Sequence, residues 1–224
     1  KTSKLYNSNS STPITDVEYY DYTPASSTSD FRLLKAVRKR NSNDPAETVS
    51  RFKYAKEYTA VTNTGDDMNN AIFEFNNSLH KNPVIETIQS RTEPSQPEKV
   101  TGGSFNTFKK FTIGHPNGNQ MQPYLPYKIF QFVNQVGIPS TSFTNTYVNS
   151  GPGGDNTFKF DNVYNANVPA TIEQYNMRGI PQLMTDISRI PKTVISTPQA
   201  NSIKVAEFTN AKPEQVGYSN FEEG

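Results

Sequence analysis

RFKYAKEYTAV, residues 51 to 61, places Phe52, Tyr54, Tyr58 and Ala60 at alternate positions, with Arg51, Lys53, Glu57 and Thr59 between them. Successive side chains of an extended strand point to opposite faces, so the stretch reads as a strand with one apolar and one polar face. The same period of two recurs along the chain. It sets Phe73 with Phe75 in AIFEF, Val84 with Ile88 in PVIETIQ, and Phe143 with Tyr147 in SFTNTYV. It also sets Phe158 with Phe160 in TFKFDNVY, and Ile203 with Val205 in SIKVAEF. FRLLKAV, FKKFTI and KTVIS raise the set to about nine candidate strands. YKIFQFVNQV fits a strand or a helix, because Ile129, Phe132, Val133 and Val136 also form a helical stripe.

Composition agrees with the strands. Val and Ile far outnumber Leu, and branching at Cβ favours the pleated strand over the helix. Asn, Thr, Ser and 16 Pro favour turns and exposed strand faces. HPNGN (115–119) and SGPGGD (150–155) read as reversals between strands. Helix is expected only within ATIEQYNMRG and PQLMTDIS, separated by Gly179-Ile180-Pro181. The expected fold is therefore all-β: an antiparallel β-sandwich of jelly-roll type with long loops and one or two short helices. Residues 31–210 would form the sandwich, 1–30 a polar N-terminal arm and 211–224 a C-terminal tail.

The core must be economical. Apolar residues make up 33% of 224, below the usual share for a globular domain, yet 12 Tyr and 14 Phe are too many for a typical disordered chain. Such a chain has long polar loops or completes its core against partners. The tyrosines of the arm, Tyr19, Tyr20 and Tyr22, fit the second case, because amphipathic rings gain most when laid on another surface. They are the candidate assembly residues.

Several chemistries find no residues to carry them. Without Cys there are no disulfides or thiolate metal sites, and no apolar run is long enough to span a membrane as a helix. His80 and His115 are the only histidines, and neither stands at ligand spacing from a second metal-binding residue. Asp66-Asp67 and the pair Asp155 and Asp161 lack the alternation of a calcium loop and read as turn-forming aspartates. G-x-S-x-G, the P-loop and G-x-G-x-x-G are absent. Paired carboxylates for hydrolysis are a spatial matter that sequence leaves open. The expectation is a protein that is not an enzyme and holds no cofactor or metal. A chain opening at Lys1 rather than Met is compatible with a removed targeting segment.

One feature points to a partner. RLLKAVRKRNSNDP, residues 32 to 45, gathers Arg32, Lys35, Arg38, Lys39 and Arg40 in a chain of net charge only +1. These are the candidate nucleic-acid contacts, against a plainer reading as a solvated strand end beside Asp44 and Glu47. If four of them met single-stranded nucleic acid, affinity would fall about fiftyfold between roughly 50 and 200 mM salt, the behaviour of a supporting contact.

A polar arm, a basic stretch and then strands with long Asn/Thr/Pro-rich loops, without Cys or Trp, resembles the jelly-roll coat proteins of small icosahedral viruses. In place of an Arg/Lys-rich extreme N-terminus, this chain has Lys1, Lys4 and then an acidic-aromatic stretch. The resemblance implies a structural protein in the virion, self-associating into a high-order homo-oligomer that encloses nucleic acid. The alternative is a β-sandwich recognition module, extracellular or on a cell or virion surface, whose loops bind glycan or protein.

Overall fold

The computed structural model describes residues 2–6, 13–22, 31–41, 44–78, 82–114, 118–166, 170–176, 178–186, 188–196 and 204–217. The chain begins with four strands, β1 (Thr2–Tyr6), β2 (Pro13–Tyr22), β3 (Phe31–Asn41) and β4 (Asp44–Tyr54). One helix, α1 (Asp67–Asn77), precedes β5 (Val84–Thr92) and β6 (Lys99–Lys110). The short hairpin β7 (Ile113–Gly114) and β8 (Gln120–Met121) leads into the long β9 (Tyr124–Pro139). A second short hairpin, β10 (Tyr147–Val148) and β11 (Phe158–Lys159), is followed by β12 (Ala170–Tyr175), β13 (Pro181–Asp186), β14 (Pro191–Ser196) and β15 (Lys204–Thr209).

Eleven of these strands form one antiparallel sheet in the order β1-β2-β3-β4-β5-β6-β9-β12-β13-β14-β15. The expected antiparallel, strand-dominated class is thus present. The Greek-key pairing of a jelly roll is not seen among the described strands. Short connections favour pairing between neighbours in sequence, and here, among the described residues, the large sheet is a meander interrupted by α1, the two short hairpins and 3-10 turns. The segment expected as an arm supplies β1 and β2, with Tyr19 opposite Leu34, Tyr20 opposite Leu33 and Tyr22 opposite Phe31 in the backbone register.

Three local expectations are corrected. AIFEF belongs to α1 and not to a strand: Asp66 caps the helix, its side chain accepting from the Asn69 amide at 2.8 Å. Met68, Ala71, Ile72 and Phe75, spaced three and four apart, are the buried face. In RFKYAKEYTAV the strand ends at Tyr54, because Glu57 turns back to accept from the Tyr54 amide at 2.8 Å and closes a 3-10 turn over Ala55–Glu57. ATIEQY and PQLMTD are strands β12 and β13. Asn176 accepts from the amides of Arg178 and Ile180, and Gly179 takes φ +76°, so the intervening residues form a reversal and not a break between helices. The ambiguous YKIFQFVNQV is strand, lying within β9. The strands that flank both expected reversals pair, with Ile113 opposite Met121 and Tyr147 opposite Lys159. His80 and His115 lie outside the described residues.

The core sits over the middle of the sheet in two clusters. One joins α1 to Ala55, Tyr58, Ile85, Phe108 and Val148. The other joins Ile88, Val100, Phe105, Phe130, Phe132 and Tyr164. Phe105 is its centre, stacked on Phe130 at 4.5 Å and met edge-on by Tyr164 at 4.7 Å. Tyr164 comes down onto the sheet at Gly103, where a Cβ would stand 2.5 Å from its hydroxyl and 2.8 Å from the Phe132 ring. Gly103→Ala therefore overfills the core and should destabilise the fold by about 1–3 kcal/mol. An unchanged midpoint in urea unfolding would contradict that packing.

Candidate functional site

The basic strand β3 carries the charges expected to make the contact. Arg38 donates to Glu47 Oε1 at 3.0 Å, and Arg40 is paired with Glu47 Oε2. Register explains the pairing: Arg38 lies opposite Val49 and Arg40 opposite Glu47, on adjacent antiparallel strands. Exposed Lys39 falls on the other face. Lys35 is half-buried and has an interaction partner. The backbone places Arg32 opposite Asp21, and its side chain, like those of Tyr19, Tyr20 and Tyr22, lies outside the described residues. Arg38 and Arg40 share one face and Lys39 takes the other, so these three do not form one stripe.

A buried polar network, not anticipated from sequence, occupies the centre. Glu86 on β5 lies opposite Lys53 on one side and Phe105 on the other, and is 1% exposed. Its Oε2 accepts from the Thr146 amide at 2.9 Å and from the Thr146 hydroxyl at 2.8 Å, while its Oε1 accepts from the Tyr164 hydroxyl at 3.1 Å. The Thr146 proton is used on Glu86, so Tyr58 is the donor in its 2.5 Å contact with Thr146 Oγ1. Lys53 donates to the Thr146 carbonyl, and its ammonium stands 4.2 Å from the centre of the Tyr58 ring. Thr146 therefore has its amide, hydroxyl and carbonyl all engaged.

Burial dominates the electrostatics of this cluster. It pushes the Glu86 carboxyl above its ordinary range, against the opposing hydrogen bonds from Thr146 and the Lys53 charge. It pushes the Lys53 ammonium down, and the Tyr58 and Tyr164 hydroxyls up, the nearby Glu86 adding to both tyrosines. A cleft of about 530 Å³ opens alongside, lined in part by Arg51, Lys53, Glu86, Glu98 and Phe143. Burial also acts to raise Glu98, but hydrogen bonds from Arg51 and Ser90 outweigh it and hold this carboxyl below its usual range. Carboxyls displaced in opposite directions in one cleft are how acid-base pairs are set. Here, however, protein donors engage both Glu86 oxygens, and Arg51 takes Glu98 with both terminal nitrogens. The arrangement fastens the segment around Thr146 and Tyr164 onto the sheet.

Aspartates read from sequence as turn-formers act that way. Asp155 accepts from the Thr157 amide and hydroxyl, and Asp161 from the amides of Thr144 and Val163. Among the described residues, no group of three His, Cys, Asp or Glu side chains is placed to hold a metal ion.

A second missed feature is basic and aromatic. At the β6–β9 end of the sheet, Lys109 stands 5.0 Å and Lys128 5.2 Å from the centre of the Tyr127 ring, and Lys110 stands 5.7 Å from that of Tyr124. Phe111 meets the Tyr175 ring edge-on at 4.9 Å and Tyr127 at 6.3 Å. The signal was present as two interleaved stretches, FKKF at 108–111 and YLPYK at 124–128. Only the register, Thr107 opposite Lys128 and Lys109 opposite Leu125, brings them together.

Comparison of the chain with protein-family models, curated proteins and solved structures finds no match.

Glu86→Ala should cost about 3–5 kcal/mol, because it leaves Lys53 buried without its counter-charge. Glu86→Gln keeps the shape and can donate to the Tyr164 oxygen. A carboxyl raised on folding contributes stability that is complete below its unfolded value and is lost as pH rises through the folded one. Relative to Glu86→Gln, the wild type should therefore lose stability as pH rises from about 4 toward neutrality. Parallel denaturation curves across that range would contradict the assignment.

Proposed function

We propose that the protein is a structural subunit that self-associates into a large shell, a viral capsid enclosing nucleic acid. The observation that supports this is the distribution of the core. Both apolar clusters draw their strand residues chiefly from β5, β6 and β9, while the outer strands, among residues whose side chains are described, bury single apolar groups, Ala36 of β3, Ile172 of β12, Leu183 of β13 and Val194 of β14, that join neither cluster. A few strands with so thin an apolar face are marginal on their own. The outer strands β1 and β15 have a paired neighbour on one side only among the described residues, and Leu5 of β1 is 61% exposed. An unpaired edge is a template for another chain.

The nucleic-acid role first read for Arg32, Lys35, Arg38, Lys39 and Arg40 is the weaker part of the proposal, since Glu47 offsets Arg38 and Arg40.

Size-exclusion chromatography with light scattering, followed by electron microscopy of the native material, tests the reading. High-order particles are expected. A stable monomer at high concentration across salt and pH would overturn it, and saturable glycan or protein binding by that monomer would point to a recognition module instead. Leu5→Lys should shift the equilibrium toward smaller species with the circular dichroism unchanged.

A further inference from the structure

We infer that the basic-aromatic face at the β6–β9–β12 junction binds single-stranded nucleic acid, with Lys109 and Lys128 meeting phosphates and Phe111 and Tyr127 meeting bases. This rests on the proposed function only in naming the contact for an enclosed partner; the face itself is complete in one chain.

Lys109 and Lys128 both hold their ammonium groups about 5 Å from the centre of the Tyr127 ring, so two cations attend one aromatic ring. Among the described residues, neither forms an ion pair with a carboxylate, in contrast to Arg38, Arg40 and Arg51. Phosphates placed there would supply the counter-charge.

The rings are partly exposed and held in place. Tyr175 donates to the Pro126 carbonyl at 2.5 Å, which fixes the ring that Phe111 packs against. Cations alternating with aromatic rings are what a single strand requires, since backbone charge and base faces both need partners.

A groove of about 690 Å³ continues from Tyr127 and Lys128 toward Arg189 and Lys212. Glu173 and Asp186 also line it. Asp186 accepts from the Ile190 amide at 3.0 Å and Glu173 from the Thr185 hydroxyl at 2.9 Å, neutral donors that orient both carboxylates and leave their charge in place. A strand laid from Lys109 past Lys128 into this groove would pass Arg189 and Lys212 as well. A duplex fits less well, because its bases are stacked inside and cannot reach the rings.

The test is fluorescence anisotropy with a labelled oligothymidylate of roughly 16 nucleotides. With Lys109, Lys128, Arg189 and Lys212 engaged, wild-type affinity should fall about fiftyfold between roughly 50 and 200 mM salt. The double variant Lys109→Gln, Lys128→Gln should bind more weakly and lose less than about tenfold over the same range. Tyr127→Leu should lower affinity roughly five- to hundredfold without changing the salt slope. If the double variant fails to fold, Lys109→Gln and Lys128→Gln singly should each flatten the slope by about 0.7.

No binding at the lowest salt, or an unaltered slope in the lysine variants, would overturn the inference. So would heparin binding as tightly with Tyr127→Leu unaffected, which would mark a general polyanion surface. Light scattering on the same samples reads self-association separately, so failure of the shell reading and failure of this one are distinguishable.

Discussion

The structure depends on a carboxylate that would be costly where it sits without its partners. Glu86 is enclosed between the sheet and the segment carrying Thr146 and Tyr164, and an unpaired charge in such a place costs several kcal/mol. The cost is offset only when Thr146 supplies two donors, Tyr164 a third and Lys53 a counter-charge. Those groups come from stretches far apart in sequence. Satisfying Glu86 therefore requires the covering segment to be in place, which in turn closes the aromatic cluster around Phe105. The polar requirement selects one arrangement of a core that, by composition, is thin.

The two apolar clusters thin out with that cover. β4, β5, β6 and β9 are joined by long ladders, and the clusters and α1 pack on β5, β6 and β9. β12 is attached to β9 through two register pairs, Ala170 with Ile129 and Thr171 with Lys128. Among the described residues the strands beyond, on the two wings of the sheet, bury single apolar side chains, Ala36, Ile172, Leu183 and Val194, that join neither cluster. Surface left uncovered beside such a centre is surface that a neighbour can use.

Much of the strand content was legible in the sequence, because alternation needs only neighbours two apart. FRLLKAV, VIETIQ, KTVIS and KVAEF lie in strands for that reason. α1 was not legible from AIFEF alone, since Phe73 and Phe75 mimic a strand within five residues. Widening the view to Asp66 as cap, with Met68, Ala71, Ile72 and Phe75 in register, reveals the helical period. The helical reading of 170–186 failed through the turn chemistry of Asn176 and Gly179. Topology was less accessible still: eight or nine short strands suit a Greek key or a meander equally, and pairing decides between them. The central network could not be read at all, as Glu86, Thr146 and Tyr164 carry no spacing that connects them. The charge of β3 was visible, but its partner Glu47 offsets it only once the hairpin is formed.

Hydrogen exchange by mass spectrometry, followed as a function of protein concentration, tests the division between centre and wings most directly. Amides of β4, β5, β6 and β9, with that of Thr146, should exchange slowly at every concentration. Those of β1–β3 and β12–β15 should exchange faster in dilute solution and gain protection as the chains associate. Wings as well protected as the centre in a dilute monomer would contradict the claim that they are completed by neighbours.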